Sequence, residues 1–171
     1  MNNLIKKLSA HSIRKLATDK IEFHYASYII LCKDILDVLY NVFRQHINLI
    51  ATLVKYYSKQ DISIMLKLVH GQRFILIDCV NMYNKLYTEL IDPTKEQKDR
   101  IIKHMNSYDP TTKNVSMSLH QLNASYLALN IECGKSNITD CEKVHIDLMI
   151  HSNSIYAIKN NLEELVELQN N

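Results

Sequence analysis

Residues 20–60 contain neither Gly nor Pro, and no other feature limits the fold of this chain so strongly. Read at helical period, the stretch shows a polar stripe at Lys33, Asp37, Asn41, Arg44, Asn48, Thr52, Lys55 and Lys59. Steps of three and four keep those residues on one narrow face of a helix. Most of the remainder is apolar, including Ile29, Ile30, Ile35, Leu39, Val42, Ile47, Leu49, Leu53 and Val54. A surface helix has a narrower apolar face than this, so the stretch predicts an inner helix with neighbours on two or three sides. Unbroken, it measures about 60 Å. It is not a membrane span, because Lys33, Asp34, Asp37 and Arg44 fall inside any window long enough to cross.

The rest of the chain repeats the theme. Two Gly and two Pro among 171 residues leave too few turn residues for a strand-rich fold. Residues 2–18 read as a short amphipathic helix, with Leu4, Ile5, Leu8, Ile13 and Leu16 on one side and Lys6, Lys7, Arg14 and Lys15 elsewhere. Docking of that helix on the remaining helices is favoured over a transit peptide or a membrane-surface helix, because its apolar face is modest. Asp19 is placed to cap the central helix, and Asp61 to cap the next, over 62–91. The inward face of that helix is Ile62, Met65, Val69, Leu76, Val80, Tyr83, Leu86 and Leu90, and Gly71 is a weak point in a continuous run.

Asp92-Pro93 and Asp109-Pro110 each read as a helix start. They bracket a short, charged, peripheral helix over 94–108. After the second start comes a seam at Val115, Leu119, Leu122, Tyr126, Leu129 and Cys133, closed by Gly134. Thr139 and Glu142 have capping-box spacing. The last seam is Cys141, Val144, Leu148, His151, Ile155, Ile158, Leu162 and Leu165. Short connections then predict an all-α chain: an antiparallel four-helix bundle of long helices (20–60, 62–91, 111–133, 139–168) in one domain over 1–171. The short amphipathic start (1–18) is semi-independent, and the short middle helix is peripheral.

Charge excludes some functions and locates others. A net charge of +2 does not call for nucleic acid, and the central stripe mixes Lys and Arg with Asp37 and neutral residues. The ends differ in sign: residues 1–20 hold five basic residues against Asp19, and residues 132–171 hold seven acids against three lysines. Such ends pair with each other or with partners of opposite charge. Cys32 and Cys79 read as core residues. Cys133 and Cys141 flank a turn that a disulfide could close, but without an apolar leader reduced thiols in a cytoplasm are the expectation.

Chemistry finds little support. There is no Gly-x-Ser-x-Gly, no Gly-rich phosphate loop and no inward pair of carboxylates. His46 and His151 fall on apolar faces, and Asp147 stands one turn before His151. Two inward histidines on facing helices are a start towards a metal site, but one such pair is not a ligand shell. Core histidines bonded to a Tyr hydroxyl or a carbonyl are the expectation. Tyr56, Tyr57, Tyr83 and Tyr87, together with Lys6, Lys7, Arg14 and Lys15, are the candidate interaction residues, although clustered Tyr suits a core as well as an interface.

These residues predict a non-enzymatic, cytoplasmic bundle without cofactor. It acts on another protein as an adaptor, a secretion chaperone or a regulator directed at a host or phage protein, with a homodimer as a further expectation. The alternative is a sensor or ligand-binding bundle with inward histidines. Weaker still is a peripheral membrane protein held by residues 2–18.

Overall fold

The computed structural model describes the backbone of residues 2–56, 62–135 and 141–171, and their side chains except at 2–14, 16, 17, 56, 62 and 141. It contains four helices: α1 (Asn2–Tyr56), α2 (Ile62–Ile91), α3 (Lys95–Cys133) and α4 (Cys141–Asn170). No strand occurs among the described residues. The fold is all-α, with the helices packed on one another.

Sequential helices alternate in direction. α1 packs on α2 and α3, and α4 packs on the same two helices. α1 and α4 therefore stand on one diagonal of the bundle, α2 and α3 on the other. Neighbours α1 and α3 run parallel: Glu22 meets Lys98, Asp34 meets His120, and His46 meets Tyr126. α2 and α4 are parallel too, as Gln72 meets Ser152 and Glu89 meets Gln169. The three residues between α2 and α3 thus cross a diagonal.

The seams expected in α3 and α4 are buried from Val115 to Cys133 and from Val144 to Leu165. The stripe of α1 is in water at Lys33, Asp37, Asn41, Arg44, Asn48 and Lys55, while Thr52 is half-buried. Lys59 lies outside the described residues, as do Asp61, Tyr57 and the cap at Thr139. α1 has neighbours on two sides, and this leaves Ile30, Ile47 and Val54, expected among the inner residues, exposed.

Three boundaries differ from expectation. The segments expected over 2–18 and 20–60 are one helix over Asn2–Tyr56, with 57–60 outside the described residues, and Asp19 caps nothing because it lies inside α1. No residue in that region breaks helical hydrogen bonding. Likewise 94–108 and 111–133 are one helix that passes through Pro110. An interior Pro costs about 3 kcal/mol, yet Ile101, Tyr108, Thr112 and Val115 are buried on one continuous face across it, so packing overrides the break. Both Pro110 and Asn106, whose carbonyl loses its partner, are exposed, which leaves that carbonyl to water. Finally, Thr94 rather than Asp92 caps α3. Its hydroxyl accepts from the Gln97 amide at 3.2 Å, and the Thr94 amide donates to Gln97 Oε1 at 2.8 Å, a reciprocal capping box. Gly134 does end α3, donating to the Asn130 carbonyl, but with right-handed φ −77° and ψ −13°.

One end of the bundle is closed by side chains from neighbouring helices. The Tyr25 hydroxyl donates to the Leu90 carbonyl at 2.8 Å, and that of Tyr108 to the Leu168 carbonyl at 2.9 Å. Arg100 Nη1 donates to the Gln169 carbonyl at 3.2 Å. The last turns of α2 and α4 carry carbonyls without helical partners, and these bonds supply them.

Candidate functional site

The most polar part of the interior lies midway along the bundle and takes one or two residues from each helix. On α2, Gln72 replaces an apolar residue in the series Met65, Val69, Leu76, so its amide points inward. Its Nε2 donates to the Leu148 carbonyl and to Ser152 Oγ, both at 2.7 Å. Ser152 Oγ also donates to the Leu148 carbonyl at 3.2 Å. With Nε2 occupied, Gln72 Oε1 accepts, and the Tyr126 hydroxyl donates to it at 2.9 Å. That proton being committed, the 3.0 Å contact between Tyr126 and His46 Nδ1 requires Nδ1 to be the donor. The chain of bonds therefore assigns the tautomer of His46: protonated at Nδ1, bare at Nε2.

His46 is neutral on electrostatic grounds as well. Burial pushes its pKa down to about 4; Arg73, His70 and His151 add to the shift, and the Val69 carbonyl opposes it. His46 Nε2 makes no hydrogen bond. His151 is lowered by burial, against which Asp147 pulls upwards, and its Nδ1 is also without a hydrogen bond. Its ring stacks on Tyr126 with centroids 4.4 Å apart, while His46 meets the same phenol in a T-shape at 5.7 Å. The two histidines are inward, as expected, but they are joined through a packed Tyr rather than across a cavity. Asp147 is half-buried on the rim. Among the described residues no three His, Cys, Asp or Glu side chains converge as a metal site requires.

A second cluster lies towards the closed end. Tyr28, Cys32, Tyr83 and Tyr108 line a cavity of about 20 Å³, room for roughly one water. Tyr83, a candidate interaction residue in the sequence, belongs to this interior and is 2 % exposed. Its hydroxyl makes no hydrogen bond. Tyr28 shares a 3.2 Å hydrogen bond with Thr112. Burial pushes both phenols above their ordinary range, and the Cys32 thiol up to about 11. The thiolate, the reactive form, is therefore disfavoured. Cys79 and Cys133 are likewise free, buried thiols, pushed up to about 12 and about 11 by burial. The Cys141 side chain lies outside the described residues.

Of the other candidates, Tyr87 is half-buried and Lys15 exposed. The side chains of Tyr56, Tyr57, Lys6, Lys7 and Arg14 lie outside the described residues. Gln72, Ser152 and Thr112 were not singled out by the sequence reading. The available signal was a polar residue standing at an apolar step: Gln72 between Val69 and Leu76, Ser152 between Leu148 and Ile155, Thr112 between Tyr108 and Val115.

Between α1 and α3 near the closed end lies an open groove of about 510 Å³, lined by Ile21, Leu31, Ile102 and Met105 with His24, Asp109 and Lys113. Large apolar residues also stand in water elsewhere. α4 exposes Ile146, Met149, Ile150 and Tyr156, α3 exposes Met117, Leu127 and Ile131, and α2 exposes Phe74 at 68 %. Among the described residues no helix is long and apolar enough to cross a membrane. Compared with known protein families, curated proteins and solved structures, the chain matches none.

Proposed function

We propose that this chain is a non-enzymatic helical-bundle protein that works by binding another protein. The observation that carries this reading is where its polarity sits. The groups capable of chemistry, His46, Tyr126, Gln72 and Ser152, are bonded to one another in the interior. The outer face of α4 instead carries Ile146, Met149, Ile150 and Tyr156 in water. Contiguous exposed apolar side chains rimmed by polar ones mark binding surfaces. Here Glu142 and Asn160 bound the patch along the helix and Asn153 lies within it, all three exposed.

Affinity capture from cells that naturally make the protein tests the reading. The intact chain and an Ile146→Asp/Ile150→Asp variant are compared, with helicity checked by circular dichroism. A protein retained by the intact chain and lost from the variant is the expected result. Equal recovery by both sinks the reading. Adaptor, secretion chaperone and host- or phage-directed regulator are the forms such a binder takes, and the identity of the captured protein separates them.

A further inference from the structure

α1 is far longer than the helices it packs on. Among the described residues, the hydrogen bonds nearest its start that reach other helices are Glu22 with Lys98 and Tyr25 with Leu90. Around this point Lys15, Thr18, Asp19, Lys20, Ile21 and Phe23 are exposed, Phe23 at 71 %. Twenty residues of helix, about 30 Å, precede Glu22. They belong to one unbroken helix, which at Glu22 is level with the start of α3 and at Tyr25 with the end of α2. They also carry the basic excess of the chain: Lys6, Lys7, Arg14, Lys15 and Lys20 against Asp19.

Three of the seven acids of residues 132–171 lie towards the same end of the bundle. The bond between Gln169 and Glu89 sets the end of α4 beside the end of α2, where Tyr25 also docks. Just before it, Glu163, Glu164 and Glu167 are exposed; Glu163 also contacts Lys159 at 3.3 Å. On the same outer face, further from the end, stand Tyr156, Ile150, Met149 and Ile146. The α1 extension, about 30 Å long, reaches back from the end of α4 to about Ile150.

The geometry points to a second copy of this chain as the occupant of the α4 face, an inference that rests on the binding surface proposed above. Two bundles meet end to end about a two-fold axis, and residues 2–21 of each run parallel to α4 of the other. In that register Arg14 and Lys15 lie level with Glu163 and Glu164. Leu4, Ile5 and Leu8 lie within a turn or so of Ile150 and Tyr156. Basic residues beside the last turns of α4 also complement its helix dipole.

Sedimentation of the purified full chain tests this. A dimer at micromolar concentration in 50 mM salt, weakened at least tenfold in 500 mM salt, is expected from charge pairing. Arg14→Glu/Lys15→Glu alone, and Glu163→Lys/Glu164→Lys alone, each become monomeric with helicity unchanged. Combining the four substitutions restores the dimer. A chain monomeric at every concentration, a dimer indifferent to either reversal, or failure of the combination to restore it overturns the inference. So does binding of the monomer to vesicles of anionic lipid that is lost on Arg14→Glu/Lys15→Glu, which would give the extension to a membrane surface. If the chain is monomeric while Ile146→Asp/Ile150→Asp still abolishes capture of another protein, only the second copy is wrong. If capture is indifferent as well, the binding-surface reading falls with it.

Discussion

Tyr126 and Tyr83 are both buried, but their hydroxyls have opposite roles. The Tyr126 hydroxyl accepts from His46 and donates to Gln72; that of Tyr83 has no partner beyond a weak interaction with the Cys32 thiol. Tyr126→Phe strands two buried polar groups and is expected to cost about 1–3 kcal/mol. Tyr83→Phe removes a hydroxyl whose only partner is the Cys32 thiol and is expected to be close to neutral, and urea denaturation of the two variants side by side checks the contrast. Equal losses would mean that the hydrogen-bond assignment is wrong. His46 makes a further prediction. Its folded pKa is about 4 against 6.5 in an unfolded chain, so above pH 6.5 it adds no pH dependence. As pH falls from 6.5 to 4 the unfolded chain binds a proton that the folded chain refuses. Stability then drops, by on the order of 3 kcal/mol, and this contribution levels off below pH 4. His151, also lowered by burial, adds in the same direction. Urea midpoints from pH 7.5 down to pH 4 measure the slope, and His46→Leu is expected to flatten it.

At the scale of elements, two helices contain residues that weaken them, and each makes a test. Gly71 lies inside α2 where an added Cβ meets nothing within 4 Å, so Gly71→Ala is expected to stabilise by about 0.5–1 kcal/mol. Pro110→Ala restores a backbone bond in α3 and is expected to stabilise by about 1–3 kcal/mol. Thermal melts monitored by circular dichroism check both; a loss at Pro110 would mean that α3 depends on the geometry Pro imposes. The same helices explain why boundaries were harder to read than faces. The step from Ile101 to Val115 is present in the sequence, but Asp109-Pro110 predicts a break there because local propensity carries no record of what a face packs on. Thr94 was legible as well: Thr-x-x-Gln has capping-box spacing, and Asp92-Pro93, two residues earlier, masked it.

At the scale of the molecule, the placement of polar and apolar side chains is the first global feature. The hydrogen-bonded groups are locked inside and four large apolar side chains of α4 face water. The reach of α1 beyond its neighbours is the other global feature. Since the described hydrogen bonds from α1 to other helices begin at Glu22 and Tyr25, deleting residues 1–18 is expected to move the melting midpoint by only a few degrees at concentrations where the chain is monomeric. A large drop there would mean that the extension docks on its own bundle.

Helical class, the inward faces and the burial of His46 and His151 followed from sequence alone. They depend on the 3.6-residue period and on the cost of wetting apolar side chains, both local properties of the chain. What the two histidines bond to and which helices share a face came only from the tertiary structure. Those depend on contacts between residues far apart in the chain, such as Gln72 with Ser152 and Tyr126 with His46. A single sequence records which residue turns inward at each turn of helix, but not which inward residue it meets.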